Sequence, residues 1–259
     1  MLEVLRSWTM RGHPNLDDLG PALPREQWTL VDAVRHQAVA AGDREFLSFE
    51  DGPSVSFSEF DDLTDRLGTA FCGLGVQPGD RVLGLLTNSR EFMLSMIATH
   101  KVGAIFVPVN TELRGNFLEH QVHNSSPRII VVDDGLLERF GAVDTSPTNI
   151  ETVLRVNDGS MSPDSIPESL SGASHMSLEP LLETAPQTEM LATPVPEDVC
   201  TIMYTSGTTG PSKGVLMPQG HCYLFALGIV AAMELTQHDR YFCCMPLFHA
   251  NGLFMQVYA

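Results

Sequence analysis

A dense cluster of groups able to hold an anion occupies residues 204–215, Tyr-Thr-Ser-Gly-Thr-Thr-Gly-Pro-Ser-Lys-Gly-Val. Thr205, Ser206, Thr208, Thr209 and Ser212 place five hydroxyls within eight residues, and Lys213 adds an ammonium. Gly207, Gly210 and Gly214 let the main chain approach a ligand closely and turn with positive φ where needed. Backbone N–H groups, hydroxyls and one cation together form a cradle for phosphate oxygens. Nothing in that set suits an apolar core. The bland alternative is a ligand-free hairpin of Gly, Ser and Thr, and the placement of the lysine tells against it. A P-loop, which reads Gly, four free positions, Gly-Lys and then Ser or Thr, does not fit. Ser212 stands where its second glycine should be, Gly214 follows Lys213, and the next residues read as strand rather than helix.

A second candidate is His249 in Pro246-Leu-Phe-His-Ala-Asn-Gly252. It reads either as a site residue or as a histidine satisfied by backbone at a strand end. His120 and His123 lie at i, i+3 on one helix, which suits a metal pair or a surface face, with no third ligand in view. Glu59, Asp61, Asp62 and Asp65 read as a solvated helix face. The cysteines, at 72, 200, 222, 243 and 244, show no CxxC spacing and read as reduced core residues. A vicinal disulfide at 243–244 is the sharper alternative.

The elements that must position these residues follow from periodicity. Thr29 and Asp32 open a helix whose stripe Leu30, Ala33, Val34, Ala38 and Val39 runs to about Ala41. Glu45–Phe49 and Ser54–Phe57 read as a hairpin around Asp51-Gly52. Ser58 and Asp61 are expected to cap a helix that ends at Gly75. Strands at Arg81–Leu86, Ala104–Val109 and Arg128–Val132 then alternate with helices at Ser89–Val102 and Arg114–His123. That alternation is the signature of a parallel sheet wrapped by helices. After Val156 the chain turns rich in Ser, Pro and Gly, as an exposed connection would. Strands are expected again at Val199–Tyr204, Gly214–Met217 and Arg240–Met245, with an apolar helix from Pro218 to about Glu234. That helix reads as core behind the loop or as one wall of an acyl tunnel. The expected organisation is an N-terminal α/β subdomain over 1–155, a connection over 156–197, and the start of a second α/β subdomain over 198–259.

Composition narrows the function classes. Among 259 residues, 43% are hydrophobic and 18% charged, which fits a globular chain rather than a disordered one. The apolar run Cys222–Met233 is too short for a bilayer, which needs roughly 20 residues, and MLEVLRSWTM lacks the apolar stretch of a secretory signal. A net charge of −17 disfavours nucleic acid as a partner. The acids crowd the first 200 residues, whereas residues 201–259 hold two acids against two bases. An anionic small molecule meets least repulsion there.

The segment 204–215 resembles the phosphate loop of the adenylate-forming superfamily: acyl-CoA synthetases, peptide-synthetase adenylation domains and luciferases. That loop reads Tyr or Phe, Thr-Ser-Gly, Thr or Ser, Thr-Gly, two free positions and Lys-Gly-Val, and this chain matches it throughout. Pro246–Gly252 resembles the superfamily's aromatic-histidine turn, and Gly103-Ala-Ile-Phe-Val-Pro-Val-Asn110 a strand-and-turn segment common in acyl-CoA synthetases. Asn110–His120 is similar to carnitine-type and fatty-acid-type ligases.

The resemblance, from about Leu30 onward, implies an α/β fold of mostly parallel sheets flanked by helices. It covers the N-terminal part of the family's large domain, with the C-terminal domain absent. It implies an acid–CoA ligase that uses ATP and Mg2+ to make an acyl-adenylate and passes the acyl group to coenzyme A, in the cytoplasm. Thr205, Ser206, Gly207, Thr208, Thr209, Gly210 and Lys213 would hold the β- and γ-phosphates, and His249 would lie near the acyl carboxylate. No general base is implied, because a substrate carboxylate is already ionised near neutral pH. No magnesium ligand is implied within these residues, and the fragment is expected not to turn over alone. An adenylation domain that loads a carrier protein, and an inactive nucleotide-binding fragment, remain as alternatives.

Overall fold

The structure is a computed structural model and describes residues 23–50, 52, 54–156, 166–205 and 211–258. A small antiparallel hairpin pairs β1 (Glu45–Leu47) with β2 (Val55–Ser56). Seven further strands form one sheet: β3 (Arg81–Leu85), β4 (Ile105–Pro108), β5 (Ile129–Asp133), β6 (Thr152–Val156), β7 (Ser174–Ser177), β8 (Val199–Thr205) and β9 (Lys213–Pro218). Their order is β7-β6-β5-β3-β4-β8-β9, parallel throughout except that β9 runs back along β8.

Side chains alternate across each strand, and the alternation divides the apolar residues between two cores. Val82, Phe106, Ile129, Val131, Leu154 and Met203 face one core. Leu83, Leu85, Val107, Ile130, Val132, Val153 and Ile202 face the other. Helices α1 (Leu30–Ala41), α2 (Phe57–Gly73), α3 (Arg90–Lys101) and α5 (Gln219–Ala232) cover the first face. Helix α4 (Gly115–Ser125) and the 3-10 stretch Asp134–Ala142 cover the second. The result is the layered α/β arrangement that the strand–helix alternation implied.

Capping fixes where the helices begin. The Thr29 hydroxyl accepts from the Asp32 N–H, and that of Ser89 accepts from Phe92 N–H. The start of α2 lies two residues earlier than expected: Ser56 and Glu59, not Ser58 and Asp61, form the capping box. This frees Asp61 for another task. Lys101, at the end of α3 and fully buried, sends Nζ to Asp61 Oδ1 and Asp65 Oδ1, each at 2.6 Å, and to the Asp61 carbonyl at 2.9 Å. Part of the acidic face read as solvated therefore neutralises a buried cation.

Three further expectations give way to the structure. The break before residue 198 is not a break in the sheet, because β8 pairs with β4. The Ser/Pro/Gly-rich connection also contributes a strand: β7 pairs with β6 over Thr152↔Ser174 to Arg155↔Ser177. Residues 157–165 of that connection lie outside the described residues. The segment 240–245 is extended but forms no strand, since none of its residues has a ladder partner, and Phe242 is 84% exposed. Of the cysteines, all five are free, so 243–244 is not a vicinal disulfide; Cys200 and Cys222 are buried, Cys72 and Cys243 half-buried, and Cys244 exposed.

Candidate functional site

The strand pair β8–β9 presents the phosphate-loop candidate. Register sets Thr205 opposite Lys213 and Tyr204 opposite Gly214. Directly opposed residues share a face of the sheet and successive ones alternate, so Thr205 and Lys213 lie on the side of Met203, while Tyr204 faces α4. The Thr205 hydroxyl donates to the Lys213 carbonyl at 3.4 Å and ties the two limbs. Both side chains are exposed, and Lys213 forms no ion pair among the described residues. Ser206, Gly207, Thr208, Thr209 and Gly210, the remaining candidates, lie outside the described residues. Gly214 is required sterically: a Cβ there would sit 2.8 Å from Ile202 Cγ2 and 3.4 Å from the Tyr204 ring.

Helix α4 buttresses this ribbon from the opposite face. Tyr204 OH donates to Asn124 Oδ1 at 2.7 Å. Burial pushes the Tyr204 phenol up to about 12, so it remains a donor at any physiological pH. His120 Nε2 lies 2.8 Å from the Ser212 carbonyl, and Gln121 Nε2 lies 3.3 Å from Ser212 Oγ. His123 turns elsewhere, to the Asp144 carbonyl. The histidines therefore do not converge as a metal pair. Among the described residues, no three His, Cys, Asp or Glu side chains come together as a metal site.

The His249 turn is anchored on β3. Asn88, just past the carboxyl end of that strand, donates from Nδ2 to the Met245 carbonyl at 2.9 Å and accepts from Leu247 N–H at 2.8 Å. Leu247 and Phe254 enter the same core as Met203. A Cβ at Gly252 would fall 2.5 Å from the Pro246 carbonyl, so the turn closes only with glycine there. His249 is exposed, begins the helical turn Ala250–Gly252, and its ring lies 4.6 Å from that of Phe248. The fold thus brings Thr205, Lys213 and the His249 turn to one edge and one face: the carboxyl ends of parallel strands, on the α3/α5 side. Ligands in open α/β sheets bind at such ends.

Asn88, His120, Gln121 and Asn124 brace the candidate site through hydrogen bonds that the sequence did not reveal. The only signal was that the polar residues of α4 recur at 120, 121 and 124, on the helix face next to one that is apolar. Helix α5 is less buried than a core helix: Cys222, Tyr223 and Ala231 are covered, whereas Leu224 is exposed. Its inner side and α1 line a partly open cavity of about 680 Å³, whose walls include Val34, Met93, Leu227, Val230 and Tyr258 as well as Arg44 and Asp239.

Comparisons with known proteins agree with this geometry. The family model described as AMP-binding enzyme matches residues 34–259. The medium/long-chain-fatty-acid–CoA ligase FadD6 of Mycobacterium tuberculosis is 28% identical over 241 residues, covering 91% of this chain and 37% of that ligase. A feruloyl-CoA synthase of an Amycolatopsis species is 26% identical over 209 residues, covering 79% of this chain and 36% of the synthase. Among solved structures, the anthranilate CoA ligase AuaEII in complex with anthranoyl-AMP superposes with a TM-score of 0.79 at 25% identity, over 95% of this chain and 45% of that one. The chain spans a little over a third of the length of these curated relatives.

Proposed function

Because the chain belongs to the AMP-binding enzyme family, we propose that it is the N-terminal portion of an ATP-dependent acid–CoA ligase. In that reaction a carboxylate oxygen attacks the α-phosphorus of ATP and pyrophosphate leaves. The coenzyme A thiol then attacks the acyl carbon and AMP leaves. The observation that carries the reading is the exposed ammonium of Lys213 opposite Thr205, at the carboxyl edge of the sheet, without an ion pair among the described residues. A cation placed there in an acidic chain suits a polyanion. The ammonium offsets charge on the β- and γ-phosphates as pyrophosphate departs, which is positioning and electrostatic work. The Thr205 hydroxyl joins it.

His249 lines the approach of the acid. The CoA ligases among the relatives support coenzyme A rather than a carrier protein as acceptor. Magnesium would enter with the nucleotide; among the described residues no three His, Cys, Asp or Glu side chains come together to hold it. No helix among the described residues is long and apolar enough to cross a membrane.

The test is pyrophosphate release by the intact enzyme with a panel of alkyl and aryl carboxylic acids, followed by acyl transfer to coenzyme A. Release that depends on both ATP and acid supports the ligase. Its absence with every acid rejects it.

A further inference from the structure

We propose that His120 is a positioning residue for the phosphate-binding limb, an inference that rests on the ligase reading above. Three side chains of α4 reach the β8–β9 ribbon, and two of them end on Ser212, the residue immediately before Lys213. His120 makes the shortest contact to that residue: Nε2 to the Ser212 carbonyl at 2.8 Å. A carbonyl only accepts, so Nε2 carries the hydrogen, in the neutral and the protonated ring alike. The ring also stands edge-on to Tyr204, with centroids 6.5 Å apart at 77°. It is wedged between the strand that enters the loop and the limb that leaves it.

The consequence follows from the contacts on either side of the ribbon. Ser212 Oγ reaches Gln121 of α4, while Lys213 lies opposite Thr205 on the side of Met203, so fixing Ser212 against α4 turns Lys213 toward the face that holds the His249 turn. β9 is an edge strand, and its first four residues are exposed. Lys213 itself is exposed and forms no ion pair among the described residues. The anchor that the described residues do supply comes from the other side of the sheet, where α4 holds Ser212. The rival use of His120, a metal pair with His123, fails because the second ring bonds the Asp144 carbonyl.

Two substitutions in the intact enzyme separate positioning from bulk. His120→Phe keeps a ring beside Tyr204 but has no donor, while His120→Gln places an amide N–H near the Nε2 position. Loss of one such bond predicts a roughly five- to tenfold rise in the KM for ATP, with the KM for the acid unchanged and the melting temperature held in H120F. H120Q should recover most of the loss. Hydrogen exchange at the amides of Ser212, Lys213 and Gly214 should quicken in H120F and slow again in H120Q. That exchange pattern supports the positioning role even if the parent enzyme releases no pyrophosphate, in which case it is the ligase reading that has failed. Parental exchange in H120F overturns the inference. So does faster exchange with a parental KM for ATP in an active enzyme, because the bond would then be structural only.

Discussion

The chain has two lysines, and the two ends of the molecule where they sit treat the same ammonium in opposite ways. Lys101 closes α3 inside the molecule, bonded to two carboxylates of α2 that are themselves 23% and 15% exposed. Lys213 opens an edge strand in solvent, with a threonine across from it and no carboxylate paired to it among the described residues. A buried cation needs its countercharge built into the fold, whereas a cation meant for a ligand must be left without one. The α2–α3 junction is therefore a stability device, and the β8–β9 ribbon is the proposed binding device.

Breaking the first device should give the largest effect. Lys101→Met leaves Asp61 and Asp65 crowded without their cation and should lower unfolding free energy in urea by about 3 kcal/mol. Adding Asp61→Asn and Asp65→Asn to that variant should restore most of the loss. If the triple variant is no better than the single one, the cost lies in packing rather than charge.

Comparable in size is an acid effect from the neighbour of Lys101. Burial pushes His100 down to about 3 from an ordinary value of 6.5. Between those values the unfolded chain binds a proton that the folded one refuses. Stability is full above pH 6.5 and falls as pH drops toward 3, by up to about 1.4 kcal/mol per pH unit. Urea unfolding at pH 4 to 7 should show this limb, and His100→Phe should flatten it.

On the binding side, Lys213→Ala should leave the unfolding midpoint in place. It should raise the ATP requirement of the intact enzyme roughly tenfold to a hundredfold, the worth of one charge-assisted bond. Equal ATP dependence in mutant and parent would break the comparison, because both lysines would then be structural. The smallest effect is expected from Tyr204→Phe, which removes the bond to Asn124 and should cost about 1 kcal/mol of stability or less in the same urea assay.

The parallel core was legible because each strand carries its own turn and helix signals. Arg81–Leu85, Ile105–Pro108 and Ile129–Asp133 lie within a residue of where periodicity put them. β6 and β7 were not: β6 is a short buried run between β5 and β7 with no helix signal around it, and β7, an edge strand in a Ser-rich stretch, is made by the neighbour it pairs with. The opposite failure befell 240–245, whose residues read as a strand and find no partner. Thr205 and Lys213 were readable from type and spacing. Asn88 and His120 were not, since each acts through a backbone carbonyl distant in sequence, and main-chain acceptors leave no mark in side-chain identity.

The sequence by itself determined which residues could grip an anion and which runs would become strands and helices, because both depend on residue type and short-range period. The tertiary structure alone decided which lysine is locked away and which is free, and which helix braces the phosphate-binding limb. Those outcomes turn on which carboxylates and carbonyls arrive alongside, and only the packing of α2 on α3, and of α4 on the β8–β9 ribbon, brings them there.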